Sequence, residues 1–354
     1  MRVVIVKTHL RSLKSVTAHR IGLHITLVGC GAIAEHYYLP ALARLSHSLD
    51  ALVLVDQNID RATKLASGYG AAACVRDYRE VLNRTDGVIV AVPTHLHHPI
   101  AMEFLARGIP VLCEKPLAES VNKAKEMVEQ ARRMGVTLAT NYQQRLWPQF
   151  ARARELFANR SLGDPVHISY HVGEVFGWPT VSGFYFNSEA SSRGIVRDRG
   201  AHVMDHICWW LGAKPAVVSS EYDSFGGSEA VARIEFEHKR CTGEVRLSWV
   251  SGFPCKFLVE FERGSLEGEV YYPQSVLLKI GTRKVRRTRL ARDGYSDAGD
   301  RIVSNFVAVV TRGAAPLIPG SDVLDSIAFI DECYAAASRF EMPWYESLEE
   351  KGDT

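Results

Sequence analysis

Three residues of this chain carry chemistry that a packed core does not need: Lys115 in Glu114-Lys115-Pro116, and Asp198 and His202 in Asp198-Arg199-Gly200-Ala201-His202. An ammonium can polarise a hydroxyl or an alkoxide, and an imidazole can take up or return a proton near neutral pH. A spacing of four puts Asp198 and His202 on one helical face, and Asp205 continues it. A histidine between two carboxylates is expected to be oriented by them and raised in pKa. Gly200 inside the motif would let a further group, such as a flat ring, approach the helix closely. Plainer readings exist for each: a surface ion-pair lysine, a helix-capping aspartate, a packed core histidine.

Upstream, Gly29-Cys30-Gly31-Ala32-Ile33-Ala34 follows the apolar run His24–Val28 and precedes helical spacing from Ile33 to Leu45. In that context the first glycine makes a tight turn and the second lets a pyrophosphate reach backbone N–H groups at a helix N-terminus. Ala34 stands where a third small residue permits close helix packing. Asp56 ends the next apolar run, Ala51–Val55, where a carboxylate would accept ribose hydroxyls. The alternative is a tight turn with a surface aspartate. A carboxylate at that place repels a 2′-phosphate, and Gln57 and Asn58 follow it, so NAD is favoured over NADP; Arg61 and Lys64 lie near enough to weaken the preference.

These groups need a frame. Gly87 to Val92 reads as a strand stopped by Pro93, Pro99 to Arg107 as a helix closed by Gly108, and Pro110 to Cys113 as a strand running into Lys115. Ser120 caps a helix that reaches Met134 and is closed by Gly135. Apolar strands alternating with helices predict a parallel sheet covered on both faces, and Lys115 falls just past a strand's carboxyl end, where such sheets bind ligands. After Trp147-Pro148 the pattern changes: a helix through Phe157, strands such as Val166 to Tyr170, alternating runs between Val217 and Leu290, and a final helix from the cap Ser321 to about Phe340. The expected fold is α/β, with an N-terminal Rossmann dinucleotide-binding domain over residues 24–147. A C-terminal α+β domain with a large open, mostly antiparallel sheet follows over 148–345. Residues 1–23 form an extension without assigned role.

With 354 residues the chain exceeds the roughly 250–300 at which a single core stops growing, so two domains are expected. A net charge of +2 gives no electrostatic footprint for nucleic acid or an anionic membrane, and no apolar run is long enough to span one. The basic run Arg283 to Arg289 reads as a charged sheet edge, with an oligomer contact or a subsite for a phosphorylated substrate as alternatives. Seven scattered cysteines without a Cys-x-x-Cys pair, and a start lacking a signal-peptide pattern, point to a reducing cytoplasm. His95-Leu96-His97-His98 has no accompanying ligand cluster, and no metal is expected.

Taken together the motifs resemble the Gfo/Idh/MocA family of oxidoreductases from His24 to about Phe340. The resemblance adds Pro93-Thr94-His95-Leu96-His97, Asn141-Tyr142-Gln143-Gln144-Arg145, the run on to Trp210-Leu211-Gly212, and Gly320-Ser321-Asp322. It implies reversible hydride transfer between NAD, or less readily NADP, and a secondary alcohol or ketone of a sugar, cyclitol or nucleotide-sugar. His202 would be the acid/base, Lys115 would assist, and Asp198 would complete the set. Cofactor contacts would come from Gly29, Gly31, Ala32, Ile33, Asp56, Pro93, Thr94, His97, Glu114 and Lys115, and substrate contacts from Lys115, Tyr142, Arg145, Trp178, Arg193, Asp198 and His202. It further implies a homo-oligomer, dimer or tetramer. Arg193 and Arg197 depart from stretches that are Gly- or Leu-rich in many members, and the extension before His24 is longer than usual. An NAD-dependent glycosidase on the same scaffold and a noncatalytic dinucleotide-binding regulator are the alternatives.

Overall fold

The computed structural model describes residues 22–179, 194–223, 228–271, 275–281, 284–290 and 295–341. Six short strands, β1 (His24–Val28), β2 (Ala51–Val55), β3 (Ala73–Val75), β4 (Gly87–Val90), β5 (Val111–Cys113) and β6 (Leu138–Thr140), form one sheet in the order β3-β2-β1-β4-β5-β6. All its pairings are parallel. β4 and β5 are buried at every position, as strands must be when helices cover both faces. The strand order reverses between β1 and β4, so the connections leave to opposite sides and a crevice opens beyond those two carboxyl ends.

The helices of this half start and stop where the sequence has the chemistry to do so. Asn58 caps α2 (Ile59–Tyr69) by accepting from the Arg61 N–H at 3.1 Å, and Ser120 caps α4 (Val121–Met134) by accepting from the Lys123 N–H. Gly135 closes α4 in the left-handed conformation at φ 65°. α3 spans His97–Leu105, starting ahead of Pro99 because a 3-10 turn over Thr94–Leu96 runs straight into it. After the glycine loop the chain makes a π-helical turn, Ala34–Tyr38, which continues as α1 (Leu39–Arg44).

The second sheet comprises β7 (Pro165–Gly173), β8 (Ala216–Tyr222), β9 (Val231–His238), β10 (Cys241–Ser248), β11 (Phe253–Phe261), β12 (Gly264–Glu269), β13 (Ser275–Ile280), β14 (Lys284–Arg289) and β15 (Ala337–Arg339). Their order is β14-β13-β12-β11-β7-β10-β9-β8-β15. Among the described residues β10–β7 and β15–β8 pair parallel and the remaining neighbours antiparallel. One face buries Ile168, Tyr170, Ile234, Phe236, Val245, Leu247, Phe257 and Val259 beneath α5 (Pro148–Asn159), α6 (Ile195–Leu211) and α8 (Leu324–Ala335). The other is polar, with Arg246–Glu244 at 2.9 Å and Lys256–Glu267 at 3.6 Å, the half-solvated arrangement open to antiparallel sheets. β14, carrying the exposed Arg286, Arg287 and Arg289, lies at one edge; Arg283 falls outside the described residues.

Near the C-terminus the sequence expectation needs correcting. Ser321 makes no cap: a 3-10 turn over Gly320–Val323 leads into α8, which ends at Ala335 rather than near Phe340. Residues Ala337–Arg339 instead pair with the free edge of β8. Local helix propensity in Tyr334-Ala335-Ala336-Ala337 yields to that backbone pairing, a tertiary effect no window of sequence displays. Between the second sheet and α8, helix α7 (Tyr295–Arg312) returns to the first sheet and packs on α1, with Gly87 at the start of β4 giving it room: a Cβ there would lie 2.6 Å from Val310.

Candidate active site

The first sheet presents Lys115 just beyond β5 and the second presents α6, and the two meet at one ion pair. Lys115 Nζ donates to Asp198 Oδ1 at 2.7 Å and to the Asp198 carbonyl at 2.9 Å. The side chains stay 17% and 20% exposed, enough for a ligand to touch both. Burial alone would push the Asp198 carboxyl up, but Lys115, with Arg199 behind it, more than offsets this and holds it below the usual carboxylate range.

His202 differs from expectation. Its pKa is driven well below the ordinary imidazole value, first by burial and then by the positive charge of Lys115, with His206 and Arg199 adding to it. Neither flanking carboxylate counters this, because Asp198 is bonded to Lys115 and Asp205 to Arg145. His202 therefore stands as a neutral imidazole, edge-on to the Tyr142 ring at 5.9 Å, and its Nδ1 has no hydrogen-bond partner among the described residues. A neutral ring is one that can accept a proton.

Glu114 fixes the strand end that carries Lys115. Its Oε1 accepts from Tyr38 OH at 2.7 Å and from Asn141 Nδ2 at 2.6 Å, and its Oε2 from the Lys115 N–H at 3.0 Å; Asn141 Oδ1 in turn accepts from Tyr37 OH at 3.2 Å. The π-helical turn after the glycine loop is thereby tied to the lysine. Glu114 is buried and its carboxyl is pushed up by desolvation in spite of those bonds, so it acts as a support. His97, expected to contact a cofactor, also braces the site: its ring nitrogens lie 2.9 Å from the carbonyls of Val92 and Pro116, beside the loop after β4 and the cis Lys115–Pro116 segment, and the neutral ring can donate to one of the two.

Burial lowers the His97 pKa from the ordinary 6.5 to about 4. Between those values the unfolded chain binds a proton that the native residue refuses, so stability is full above pH 6.5 and falls as pH drops toward 4, by up to about 3 kcal/mol. His202 and His206 act in the same direction. Thermal midpoints measured across this range should fall, and His97→Gln should reduce the slope; an unaltered slope in the variant would show that His97 does not carry it.

The dinucleotide crevice is built as the spacing requires. Gly29 has φ 99°, and a Cβ there would sit 2.2 Å from the Ala91 carbonyl oxygen, so glycine is forced by the turn. A Cβ on Gly31 would meet nothing within 4 Å: the space beside that backbone is open, while Ala32 and Ala34 are packed inward and Ile33 opens the π-helical turn. Asp56 follows β2 with Oδ2 accepting from the Cys30 N–H and Oδ1 from the Asn58 N–H, both at 2.7 Å. Those bonds leave each carboxylate oxygen a lone pair. Arg61 is bonded to Glu35 at 2.8 Å and to the carbonyl of Cys30, the residue whose N–H Asp56 receives. Pro93 and Thr94 begin the turn after β4, on the crevice's far side.

Of the expected substrate residues, Tyr142 and Arg145 are buried, Tyr142 with its ring against His202. Tyr142 is fully buried, and Arg145 forms a two-bond ion pair with Asp205, both at 2.7 Å, plus a bond to the Asp322 carbonyl, through its Nε and one of its two terminal nitrogens. Gly200 turns toward Leu247, 3.1 Å from where a Cβ would be, so its smallness serves helix-on-sheet packing and not a bound ring. Trp178 packs edge-on to His36 of the π-helical turn at 6.4 Å, spanning from the second sheet to the first half. Arg193 lies outside the described residues. Sequence reasoning missed Arg199, which reaches Tyr271 OH at 3.2 Å and Glu174 at 3.5 Å beside Asp198. It also missed Glu229, a buried carboxylate that receives the Gly194 and Val196 N–H groups at the start of α6. Glu229 carries no local signal, since its partners lie 33, 35 and 105 residues away.

Residues 23–142 match the family model described as oxidoreductase family, NAD-binding Rossmann fold, and residues 150–267 match the GFO/IDH/MocA C-terminal domain. Among curated proteins, the chain is 29% identical over 205 residues to D-glucoside 3-dehydrogenase of Escherichia coli (strain K12), covering 57% of this chain and 58% of that one. It is 29% identical over 146 residues to inositol 2-dehydrogenase of Arthrobacter sp. (strain FB24), covering 40% and 43%. The matches thus span about half the length of these relatives. Among solved structures, a 3-ketoreductase from Actinomadura kijaniata in complex with NADP and TDP-benzene superposes with a TM-score of 0.78 at 19% identity, over 91% of this chain and 100% of that one. That likeness shows a shared fold.

Proposed function

Because this chain belongs to the GFO/IDH/MocA oxidoreductase family, we propose that it moves hydride between a nicotinamide dinucleotide and a carbon bearing a secondary hydroxyl on a sugar, cyclitol or nucleotide-sugar. The observation that carries the reading is the Lys115–Asp198 ion pair at 2.7 Å, which puts a partly exposed cation from the dinucleotide-binding half against the helix that bears His202. When bound, the dinucleotide supplies the hydride acceptor or donor. The residues fit it: the turn at Gly29, the open space at Gly31 and the carboxylate of Asp56 make a cradle for pyrophosphate and ribose.

Each protein group then has a defined task. Lys115 donates a hydrogen bond to the substrate oxygen, favouring its alkoxide character as the C–H bond breaks. Asp198 keeps the ammonium aimed. His202, neutral before the reaction, accepts the hydroxyl proton during oxidation and returns it during reduction, so alcohol plus oxidised cofactor balance against ketone, reduced cofactor and a proton. A panel of polyols, sugars and nucleotide-sugars, followed by NADH absorbance, tests the reading; no turnover with any of them in either direction counts against it. Release of free sugar without net NADH change would select the glycosidase alternative.

NAD is the preferred cofactor on this reading, supported by the Asp56 carboxylate and by Arg61 being bound to Glu35. Asp56→Asn should lower the NAD-to-NADP ratio of kcat/KM by about tenfold or more, the effect of removing roughly 1.4 kcal/mol of charge repulsion. An unchanged ratio would place specificity elsewhere. A homo-oligomer in the cytoplasm completes the proposal. Seven unpaired cysteines, six of them buried, support a reducing compartment, and light scattering of the purified protein reads the assembly state.

A further inference from the structure

Arg197 sits one residue before Asp198 on α6, at a position the family resemblance does not account for, and it is buried. Its NH1 donates to the carbonyl of Glu119, its NH2 lies 3.6 Å from Asp331 Oδ1, and its guanidinium stands 5.2 Å from the centre of the Tyr334 ring. Asp331 Oδ2 also accepts from the Val121 N–H at 2.8 Å, so Arg197 and Asp331 both grip the chain where α4 begins. Tyr334 donates to Glu229 Oε1 at 2.7 Å, and Glu229 receives the Gly194 and Val196 N–H groups at 3.0 and 3.2 Å. An anion at the N-terminus of α6 fills donors that would otherwise be unmet and favours the helix electrostatically.

The consequence follows from the chain between the two grips. Residues Lys115 to Glu119 form a short segment with no regular helix or strand. Its first residue is fastened to Asp198 and its last to Arg197, which are adjacent on the same helical turn. Glu114 at the Lys115 N–H and His97 at the Pro116 carbonyl hold the near end of the segment, and Arg197 holds its far end at Glu119. We propose that Arg197, backed by Asp331, Tyr334 and Glu229, is a positioning residue for Lys115, holding the far end of the lysine's segment so that the ammonium meets Asp198 at hydrogen-bond distance. It touches no reacting atom and acts through Lys115. This rests on reading Lys115 as the donor to the substrate oxygen, aimed by Asp198, and its test needs no substrate.

The experiment is trace acetylation of lysines with acetic anhydride in the folded full-length protein, read by mass spectrometry of the Lys115 peptide against the exposed Lys125 on α4 as reference, with NADH titration of the same samples by fluorescence. In the wild type Lys115 should label slowly relative to Lys125, since its side chain is only 17% exposed and its amine is held by two bonds to Asp198. Arg197→Ala should raise the Lys115 rate by about tenfold and Arg197→Lys by about threefold, because a compact ammonium lacks the planar fork whose two ends face the Glu119 carbonyl and Asp331. NADH affinity in both variants should stay within about threefold of wild type, as the bonds that shape the glycine loop do not involve Arg197. A Lys115 rate equal to wild type in Arg197→Ala overturns the proposal; if that variant loses its fold and its NADH binding, an unchanged rate in Arg197→Lys does so instead. Absence of NADH binding in the wild type overturns the oxidoreductase reading while the labelling still decides the role of Arg197.

Discussion

Lys115→Ala should lower kcat by about three orders of magnitude, within the range that positioned proton-handling groups contribute. Two effects combine. The substrate oxygen loses its cationic partner, and Asp198, now without the ammonium that holds its carboxyl down, faces the substrate as an uncompensated anion or takes up a proton. NADH affinity should fall far less than kcat, because Gly29, Gly31 and Asp56 are bonded independently of the lysine. Lys115→Arg keeps the charge but carries a planar fork in place of a compact ammonium that donates to both the carbonyl and the carboxylate of Asp198, so it should recover only a small part of the rate. Steady-state rates paired with NADH fluorescence titration check this. Wild-type turnover in Lys115→Ala would remove the lysine from the mechanism.

Arg145→Ala should have the largest effect on stability of any single substitution near the site, about 3–5 kcal/mol, because it leaves Asp205 buried and unpaired. Asp205 is 1% exposed. Burial pushes its carboxyl up, and the Arg145 guanidinium is the main influence opposing this, so without it the group protonates or the helix shifts. The pair also ties α6 to the turn before α5, and the Asp322 carbonyl shares the guanidinium. Replacing both partners, Arg145→Leu with Asp205→Leu, should restore much of the loss, since an apolar pair has no desolvation penalty. Urea titrations of the two single variants and the double variant measure the coupling. Equal losses that simply add would show that the pair is not energetically joined.

The backbone turn at Gly29, the helix cap Ser120, and the alternation of apolar strands with helices are local facts, and local sequence states them because each depends on conformations a few residues long. The same holds for the seat of Lys115 past β5: a strand that ends at Cys113 delivers the next residues to the sheet's carboxyl edge whatever the rest of the chain does. Where partners come from distant segments, sequence ran out. Asp198, His202 and Asp205 do share a helix, yet the carboxylates bind Lys115 and Arg145 from the other half, and the histidine is driven down in pKa where helical spacing alone predicts a rise. Tyr142 and Arg145 are buried for the same reason, and Ala337–Arg339 forms a strand because β8 had an open edge.

By itself the sequence determined the turn that only glycine can make, the strands that stay buried on both faces, and the presence of an ammonium, a carboxylate and an imidazole at spacings that suit proton transfer. Tertiary structure decided which charge each of them faces. Pair energies fall off with distance and rise with burial, and both quantities are set by how segments far apart in the chain are brought together. The protonation of His202, the support of Lys115 by Glu114 and Arg197, and the burial of the Arg145–Asp205 pair all follow from that assembly.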